Sequence, residues 1–281
     1  TTVPSCFLKG SRVKSITIPA SVTTIGEQAF ASSGLSEDQK LTNLTFAPGS
    51  RLTTIGRYAF DGQRLTTVDL PNTVTTIGDG AFGYNKLTKV KLPESNLTVG
   101  YRAFSDNLIT EIVFPAHHTV TLEGGAFGNN KLVDLDLSQN PIQLQGYGNF
   151  EDNQIVNLKL PANIQEIPGN TFRNNKLTSF KIPASLRKID TGAFTNNELT
   201  NVDFSEAHNL YIGQVAFHNN KLTKLNLPTG AGLTFNQDCY SNMDNGIFSN
   251  NKTLTEVTLP QDMTTVPSCF LKGSRVKSIT I

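Results

Sequence analysis

The chain has 281 residues, and its 24 Lys and Arg residues almost balance 23 Asp and Glu residues, which gives a formal net charge of +1. This balance provides no electrostatic attraction to nucleic acid or to an anionic membrane surface, and we therefore exclude both as partners. No apolar run approaches the roughly 18 residues that a membrane-spanning helix requires, so we expect no membrane insertion.

A phenylalanine, usually preceded by alanine, recurs along the whole chain. Most separations are 22 or 23 residues, and the two long ones are 30 and 31 residues. A constant period in this range is typical of a solenoid, in which stacked coils bury a core that no single coil could bury alone. We therefore expect one repeat domain over residues 1–281, with about twelve coils of 22 or 23 residues. The recurring residues are Phe7, Phe30, Phe60, Phe82, Phe104, Phe127, Phe150, Phe172, Phe194, Phe217, Phe248 and Phe270.

Each phenylalanine is followed by a short segment of alternating apolar and polar residues. After Phe82 the apolar residues are Leu87, Val90 and Leu92, and Pro93 closes the segment. Such alternation indicates a half-buried strand, and proline ends a strand because it lacks the main-chain N–H donor. Strands of successive coils should pair in parallel and form one long sheet along the solenoid.

The segment after each proline contains a second apolar pair, such as Val74 and Ile77, and glycine often follows it, as at Gly78. We expect a short extended segment, a turn that needs the permissive backbone of glycine, and a brief helical turn that places Ala81 and Phe82 in the core. The phenylalanines then form a stacked spine. The predicted structure is mostly β and irregular.

Asparagine occupies the third position after the phenylalanine in most coils. It tolerates the left-handed backbone conformation and bonds nearby main-chain groups, which suits a tight repeating turn. A row of asparagines that binds sugar is the alternative. The column consists of Asn85, Asn107, Asn130, Asn153, Asn175, Asn197, Asn220 and Asn251, and Gly10, Ser33, Gln63 and Gly273 take the position in the remaining coils.

Two coils carry insertions of about eight residues, near 32–39 and near 235–243. Insertions in a solenoid form loops on one face, often the face that meets a partner. The second insertion holds aromatic and sulfur side chains that a fully solvated loop does not need. It is either a binding loop or a loop that packs onto the neighbouring coil. Its candidate contact residues are Phe235, Asp238, Tyr240 and Met243.

The segments Thr1–Ile18 and Thr264–Ile281 are identical. We expect them to mark a unit of 263 residues that is duplicated in a longer parent protein, of which this chain is a fragment. Both ends stop within a coil and lack polar caps, so end-to-end self-association is also expected. Three cysteines are too few for a disulfide scaffold. We expect Cys6 and Cys269 to be small, partly buried side chains, and Cys239 to be an exposed thiol.

No pattern in the sequence indicates catalysis. The histidines are His117, His118, His208 and His218, and the adjacent pair has no cysteine or carboxylate at metal-ligand spacing. The glycines occur singly in turns, without a phosphate-binding loop before a helix, and the Gly-x-Ser-x-Gly pattern is missing. We expect no catalytic residue, no metal and no cofactor.

Two positions of each predicted strand point outward and form two columns on the solvent face of the sheet. They hold lysines and acids but no Trp, Tyr or Arg, the residues that dominate tight protein interfaces, so tight binding there is not predicted. A solvated face that keeps the array soluble is the alternative to a ligand face. The candidate ligand residues are Thr67, Asp69, Lys89, Lys91, Glu111, Asp134, Asp136, Asn157, Lys159, Lys181, Asn201 and Asp203.

The repeat resembles that of the BspA-like leucine-rich repeat family, whose coil has an Ile-Gly-x-x-Ala-Phe core followed by Leu-x-x-Val-x-Leu-Pro. The resemblance covers essentially the whole chain and implies a leucine-rich repeat solenoid, a right-handed coil with one long parallel sheet and short extended or helical turns on the opposite side. The best matches are Ile25-Gly26 with Ala29-Phe30, Ile55-Gly56 with Ala59-Phe60, Ile77-Gly78 with Ala81-Phe82, and Ile212-Gly213 with Ala216-Phe217.

The resemblance further implies an extracellular, cell-surface protein that adheres to host matrix or plasma proteins or to other microbes. It supplies no catalytic residue. We therefore expect a non-enzymatic fragment that binds proteins through an extended surface. The alternative is a stalk that only projects another part of the protein from the cell.

Overall fold

Each coil contributes short strands that pair in parallel with strands of the next coil, and the chain forms a parallel β-solenoid of about twelve turns. The computed structural model describes residues 1–139, 141–237 and 246–280. Two compact units result, Thr1–Phe150 and Glu151–Ile281. The one helix among the described residues is a single 3₁₀ turn, Glu37–Gln39.

The described residues of the first unit form twelve short strands. They are β1 Thr2–Val3, β2 Ser15–Ile18, β3 Thr24–Ile25, β4 Asn43–Phe46, β5 Thr54–Ile55, β6 Thr76–Ile77, β7 Lys89–Lys91, β8 Leu97–Val99, β9 Glu111–Val113, β10 Val120–Leu122, β11 Asp134–Asp136 and β12 Ile142–Leu144.

The second unit contains ten strands within its described residues. They are β13 Asn157–Lys159, β14 Glu166–Ile167, β15 Ser179–Lys181, β16 Lys188–Ile189, β17 Asn201–Asp203, β18 Tyr211–Ile212, β19 Lys224–Asn226, β20 Thr234–Phe235, β21 Glu256–Thr258 and β22 Ser278–Thr280.

The strand after each phenylalanine lies where the sequence predicts it, but the row is broken into short sheets. In the first unit β2 pairs with β4 and β7 pairs with β9; in the second, β15 pairs with β17, and β19, β21 and β22 form a three-stranded sheet. The break between β4 and β7 falls at the coil of Asp69, which forms only an isolated bridge to Lys91. The coil before it carries the first insertion, so the two coils follow different paths.

The segment after each proline forms the longest sheet. Strands β1, β3, β5, β6, β8, β10 and β12 pair side by side in the first unit, and β14, β16, β18 and β20 do so in the second. The glycine after the strand has a different role from the predicted one, because Gly78 does not have a positive φ. An added Cβ there would lie 2.7 Å from the main-chain nitrogen of Arg57. Close approach of adjacent coils, and not a special turn, excludes a side chain at this position.

The phenylalanine spine is confirmed. In the first unit neighbouring rings from Phe30 to Phe150 are nearly parallel, with centroids 5.1 to 6.1 Å apart. In the second unit the rings of Phe172, Phe194, Phe217 and Phe248 are 5.4 to 5.5 Å apart. Offset stacking of this kind adds to the free energy gained from burying each ring.

The asparagine column is a buried hydrogen-bond ladder and not a ligand-binding row. Oδ1 of Asn107 accepts the main-chain N–H of Leu87 at 3.0 Å, and its Nδ2 group donates to the carbonyl oxygen of Phe82 at 2.9 Å. Gln63 has the same role in the coil after the first insertion, where it accepts the N–H of Leu41 at 2.7 Å. Because these amides are buried and bonded, they are not available to a sugar.

The two identical segments lie in different surroundings. Phe7 is 55% exposed, whereas Phe270 is 3% exposed and packs against Phe248 and Phe235. Cys6 is a free, exposed thiol, so the prediction of a partly buried side chain is wrong there. Cys269 is in a disulfide bond, which the sequence did not indicate. Cys239 lies outside the described residues.

Candidate interaction surface

In each unit, the predicted ligand residues lie on the outward side of the strands that follow the phenylalanines, and we call this side the strand face. All of them are exposed except Asp203, which is half-buried. In β7 the buried Val90 separates the exposed Lys89 and Lys91, as the pleat of a strand requires. In β9 only Glu111 is exposed, and Ile112 and Val113 are both half-buried.

Salt bridges between neighbouring coils neutralise part of the charge on this face. Lys89 and Glu111 are 2.7 Å apart, and Lys224 and Glu256 are 2.8 Å apart. Lys181 bonds Glu206 at 2.9 Å, and this hydrogen bond raises the pKa of the lysine. Since all six groups are well exposed, these pairs contribute little to stability. They order the side chains without burying them.

A cleft of 620 Å³ opens on the strand face of the first unit. It lies at the break in the strand row, between the coil of Phe46 and the coil of Asp69, and Thr45 and Lys91 also line it. Two of the predicted ligand residues, Asp69 and Lys91, are therefore brought together in a concave site. The sequence contains no signal for the cleft, because it results from the different paths of two stacked coils.

The predicted binding loop near 235–243 is only partly described. Phe235 belongs to β20, is 8% exposed, and contacts the ring of Phe270 edge-on with centroids 5.5 Å apart. It is a core residue, so its prediction as a ligand contact is wrong. Asp238, Tyr240 and Met243 lie outside the described residues.

The histidines are dispersed. Within residues 1–139, 141–237 and 246–280, no group of three or more His, Cys, Asp or Glu side chains could hold a metal ion. The half-buried His218 has its Nδ1 atom 2.7 Å from Oγ of Ser249, and this hydroxyl donates to the carbonyl oxygen of Gly246 at 2.7 Å. His218 is thus part of the packing between two coils.

Exposed tyrosine and arginine side chains occur in the turns that flank the phenylalanines. Tyr84, Tyr101 and Tyr147 are 57%, 51% and 63% exposed. Arg102 forms a salt bridge with Asp106 at 3.0 Å. These turns are not among the contact sites predicted from the sequence.

The repeats of this chain match a known protein family. Three stretches, residues 1–133, 120–245 and 232–281, match the BspA type leucine rich repeat region, with six copies. The chain belongs to this family. Within the described part of this BspA-type protein, no helix combines the length and the apolar character needed to span a bilayer. A comparison with curated proteins finds no match to the sequence.

Two solved structures share the BspA-type solenoid fold. The pneumococcal vaccine antigen PcpA is 21% identical, with a TM-score of 0.57 over 95% of this chain and 67% of the antigen. A leucine rich cell surface protein from Faecalibacterium prausnitzii is 20% identical, with a TM-score of 0.56 over 100% of this chain and 82% of that protein. At these identities the similarity establishes the fold alone.

Proposed function

We propose that the chain is a non-enzymatic part of a cell-surface protein that binds a protein ligand, such as a host matrix or plasma protein or another microbial surface, through the strand face. Two observations support an extracellular surface location: the family match, and the two structural relatives, one a vaccine antigen and the other a cell surface protein. Adhesion is the role that this location and an exposed repeat surface favour.

The cleft on the first unit is the observation that carries this proposal. Protein interfaces are centred on concave pockets that a few partner side chains fill, and the rest of the surface contributes complementarity. Asp69 and Lys91 place one negative and one positive charge in the same concave site. An exposed peptide segment with a complementary charge pair fits this arrangement, and the neighbouring Lys89 and Glu111 would extend the contact.

The stalk remains the second candidate, and the salt bridges between coils favour it. Lys89 with Glu111 and Lys224 with Glu256 satisfy each other across neighbouring coils. A surface whose charges are already paired stays hydrated and offers little to a partner. A hydrated surface of this kind is sufficient for a stalk, which binds no ligand.

Binding measurements on the 281-residue chain distinguish the two. Purified fibronectin, laminin and fibrinogen should be passed over the immobilised chain at physiological salt, with its Asp69→Lys/Lys91→Glu variant on a parallel surface. We expect at least one protein to bind the parent chain and to lose about tenfold or more in affinity on the variant, because buried charge pairs at an interface are costly to mismatch.

The matched control exchanges charges away from the strand face. Glu27→Lys combined with Lys131→Glu alters the same number of exposed charges. This double variant should bind like the parent chain. Retention of none of the three proteins, or equal loss in both double variants, would favour the stalk.

A further inference from the structure

The first insertion covers one side of a second cavity, which we call the insertion pocket. It has a volume of 520 Å³, within the range of roughly 300 to 1,000 Å³ that is usual for small-ligand sites. It lies in the first unit, away from the strand face. Its lining comes from the coil that carries the insertion and from the two coils beside it: Lys9, Gln28, Ala31 to Leu35, Lys40, Tyr58 and Asp61.

A carboxylate without a hydrogen-bond donor lies in this pocket. Asp61 is half-buried, and no described residue donates a hydrogen bond to its side chain. Burial raises its pKa, and the charge of Lys40 only partly opposes this effect. The exposed part of this carboxylate is open to water, and a ligand that displaces the water must donate hydrogen bonds in its place, because a charged oxygen that loses water without compensation costs free energy.

Two ammonium groups and an amide complete the polar lining. Nζ of Lys9 donates to Oε1 of Gln28 at 2.6 Å, so the amide oxygen is used and the NH₂ group of Gln28 keeps its hydrogens for another acceptor. Lys40 forms an ion pair with Glu37, which stands outside the lining. The charged groups in the lining itself are Lys9, Lys40 and Asp61. Each ammonium group has three N–H donors, so both lysines can bond a further acceptor beside the partner they already have.

An aromatic ring forms one wall. The ring of Tyr58 lies over Gly80 of the next coil, where an added Cβ would be 2.5 Å from the ring. The guanidinium of Arg57 lies 5.6 Å from the centre of the same ring. These two neighbours restrict the orientation of the ring, and Tyr58 is among the residues that line the pocket.

We propose that the insertion pocket binds an acidic sugar, a polyhydroxylated ring that carries one negative charge. An ionised carboxylate such as Asp61 can only accept hydrogen bonds, and vicinal sugar hydroxyls donate them. The acidic group of the sugar meets Lys9 and Lys40 through charge-assisted bonds, which are about twice as strong as neutral ones. The apolar C–H face of the ring packs on Tyr58.

Other ligand classes fit the lining less well. An apolar ligand would displace water from the carboxylate of Asp61 without donating a hydrogen bond to it. A polyphosphate would bring several negative charges against the carboxylate of Asp61. This site is separate from the strand face, and it does not depend on the protein-binding function proposed above.

The test is an NMR titration of the isotope-labelled 281-residue chain. N-acetylneuraminic acid and glucuronic acid are the probes, and galactose and glucose are the neutral controls. We expect shifts of the main-chain amides of Ser32, Gly34 and Asp61, with a dissociation constant of about 0.1 to 1 mM for an acidic sugar and at least tenfold weaker binding of the neutral ones.

Variants then assign the contacts. Asp61→Asn should weaken binding of the acidic sugar about tenfold, and Lys9→Met should reduce the preference for acidic over neutral sugars. Asp69→Asn and Lys91→Met, on the strand face, should leave binding unchanged. Thermal unfolding of each variant shows whether it is folded, and Asp61→Asn is expected to unfold no earlier than the parent chain.

Three results would overturn the proposal. The first is that neither acidic sugar shifts the pocket amides at concentrations well above these dissociation constants. The second is that a folded Asp61→Asn variant binds as tightly as the parent chain. The third is that the shifts cluster around Lys91, which would assign sugar binding to the strand-face cleft.

Discussion

Nδ2 of Asn130 donates to the carbonyl oxygen of Phe104, one coil earlier, at 3.0 Å. The same group also donates to the carbonyl oxygens of Phe127 and Gly128 in its own coil, and Oδ1 accepts the N–H of Ile109 at 3.0 Å. One buried side chain therefore provides hydrogen-bond partners for main-chain groups of two coils. It does so in a turn, where strand pairing provides none. Each coil depends on the asparagine of the next.

Replacing Asn130 with alanine should destabilise the first unit by about 3 kcal/mol or more, because it leaves a buried N–H and buried carbonyl oxygens without partners. Asn129→Gly is the matched control. Asn129 is exposed, has a φ of 51°, and makes its side-chain bond to Asp106, so glycine keeps the backbone and removes only that bond. We expect a cost of about 1 kcal/mol or less for the control. Urea unfolding followed by circular dichroism measures both, and equal costs would contradict the ladder.

Replacing a buried phenylalanine of the spine with alanine should lower the free energy of unfolding more than replacing the exposed Phe7. Phe104 is fully buried, with the ring centres of Phe82 and Phe127 at 5.3 and 5.2 Å. Phe104→Ala should destabilise the chain by about 3 to 5 kcal/mol. Phe7→Ala should cost about 1 kcal/mol or less, because Phe7 is 55% exposed. Thermal and urea unfolding would measure the difference, and a large effect at Phe7 would mean that its exposed ring is covered in solution.

A methyl group added at Gly78 should destabilise the coil. The new Cβ would lie 2.7 Å from the nitrogen of Arg57 and 2.9 Å from the carbonyl carbon of Gly56, and main chain cannot move aside as a side chain can. We expect a cost of about 2 to 3 kcal/mol for Gly78→Ala. Gly83→Ala is the control, because its Cβ would meet no atom closer than 3.3 Å and φ is not positive at either position. Similar melting temperatures for the two variants would argue against close approach as the reason for the glycine.

The pH dependence of stability should differ in sign between two aspartates. Burial raises the pKa of Asp61, so the fold favours its protonated form. This contribution is present below the unfolded pKa of about 3.9 and is lost as the pH rises through the folded pKa. Asp61→Asn should therefore be more stable than the parent chain at pH 7, and the gap should close as the pH falls below about 4.

The pKa of Asp203 is shifted in the opposite direction to that of Asp61. The main-chain N–H of Ser205 donates to its carboxylate at 2.9 Å and lowers its pKa. The bond stabilises the fold above the unfolded pKa and is lost as the pH falls through the folded one. Asp203→Asn should therefore lower the melting temperature at pH 7 and have little effect at low pH. Melting curves of both variants against pH test the pair, and shifts of the same sign at pH 7 would contradict it.

The coil skeleton could be predicted because each of its features is local and repeated. The alternation around Val90, the spine position of Phe104 and the turn position of Asn107 recur in nearly every coil, and repetition separates a structural requirement from chance. The register of facing residues follows from the constant period, and it places Lys89 directly beside Glu111.

The sites were less predictable because they depend on the irregular coils. Lys9, Gln28 and Asp61 are far apart in sequence, and only the stacking of coils around the first insertion brings them to one pocket. Phe235 is an error of the opposite kind, a predicted site residue that belongs to the core. The insertion predicted a loop there, but Phe235 is part of β20 and packs against Phe270. The local sequence pattern does not indicate which residues of the neighbouring coils a coil with an insertion will contact.

The amino-acid sequence alone therefore determined the period, the family, the parallel strands and the residues of the core, because the same short-range preferences act in every coil. Only the tertiary structure decided where the strand row breaks, which glycines exclude a side chain, and which polar groups converge in the cleft and the insertion pocket. These properties depend on distances between successive coils, and small differences in coil length change those distances without altering the repeat.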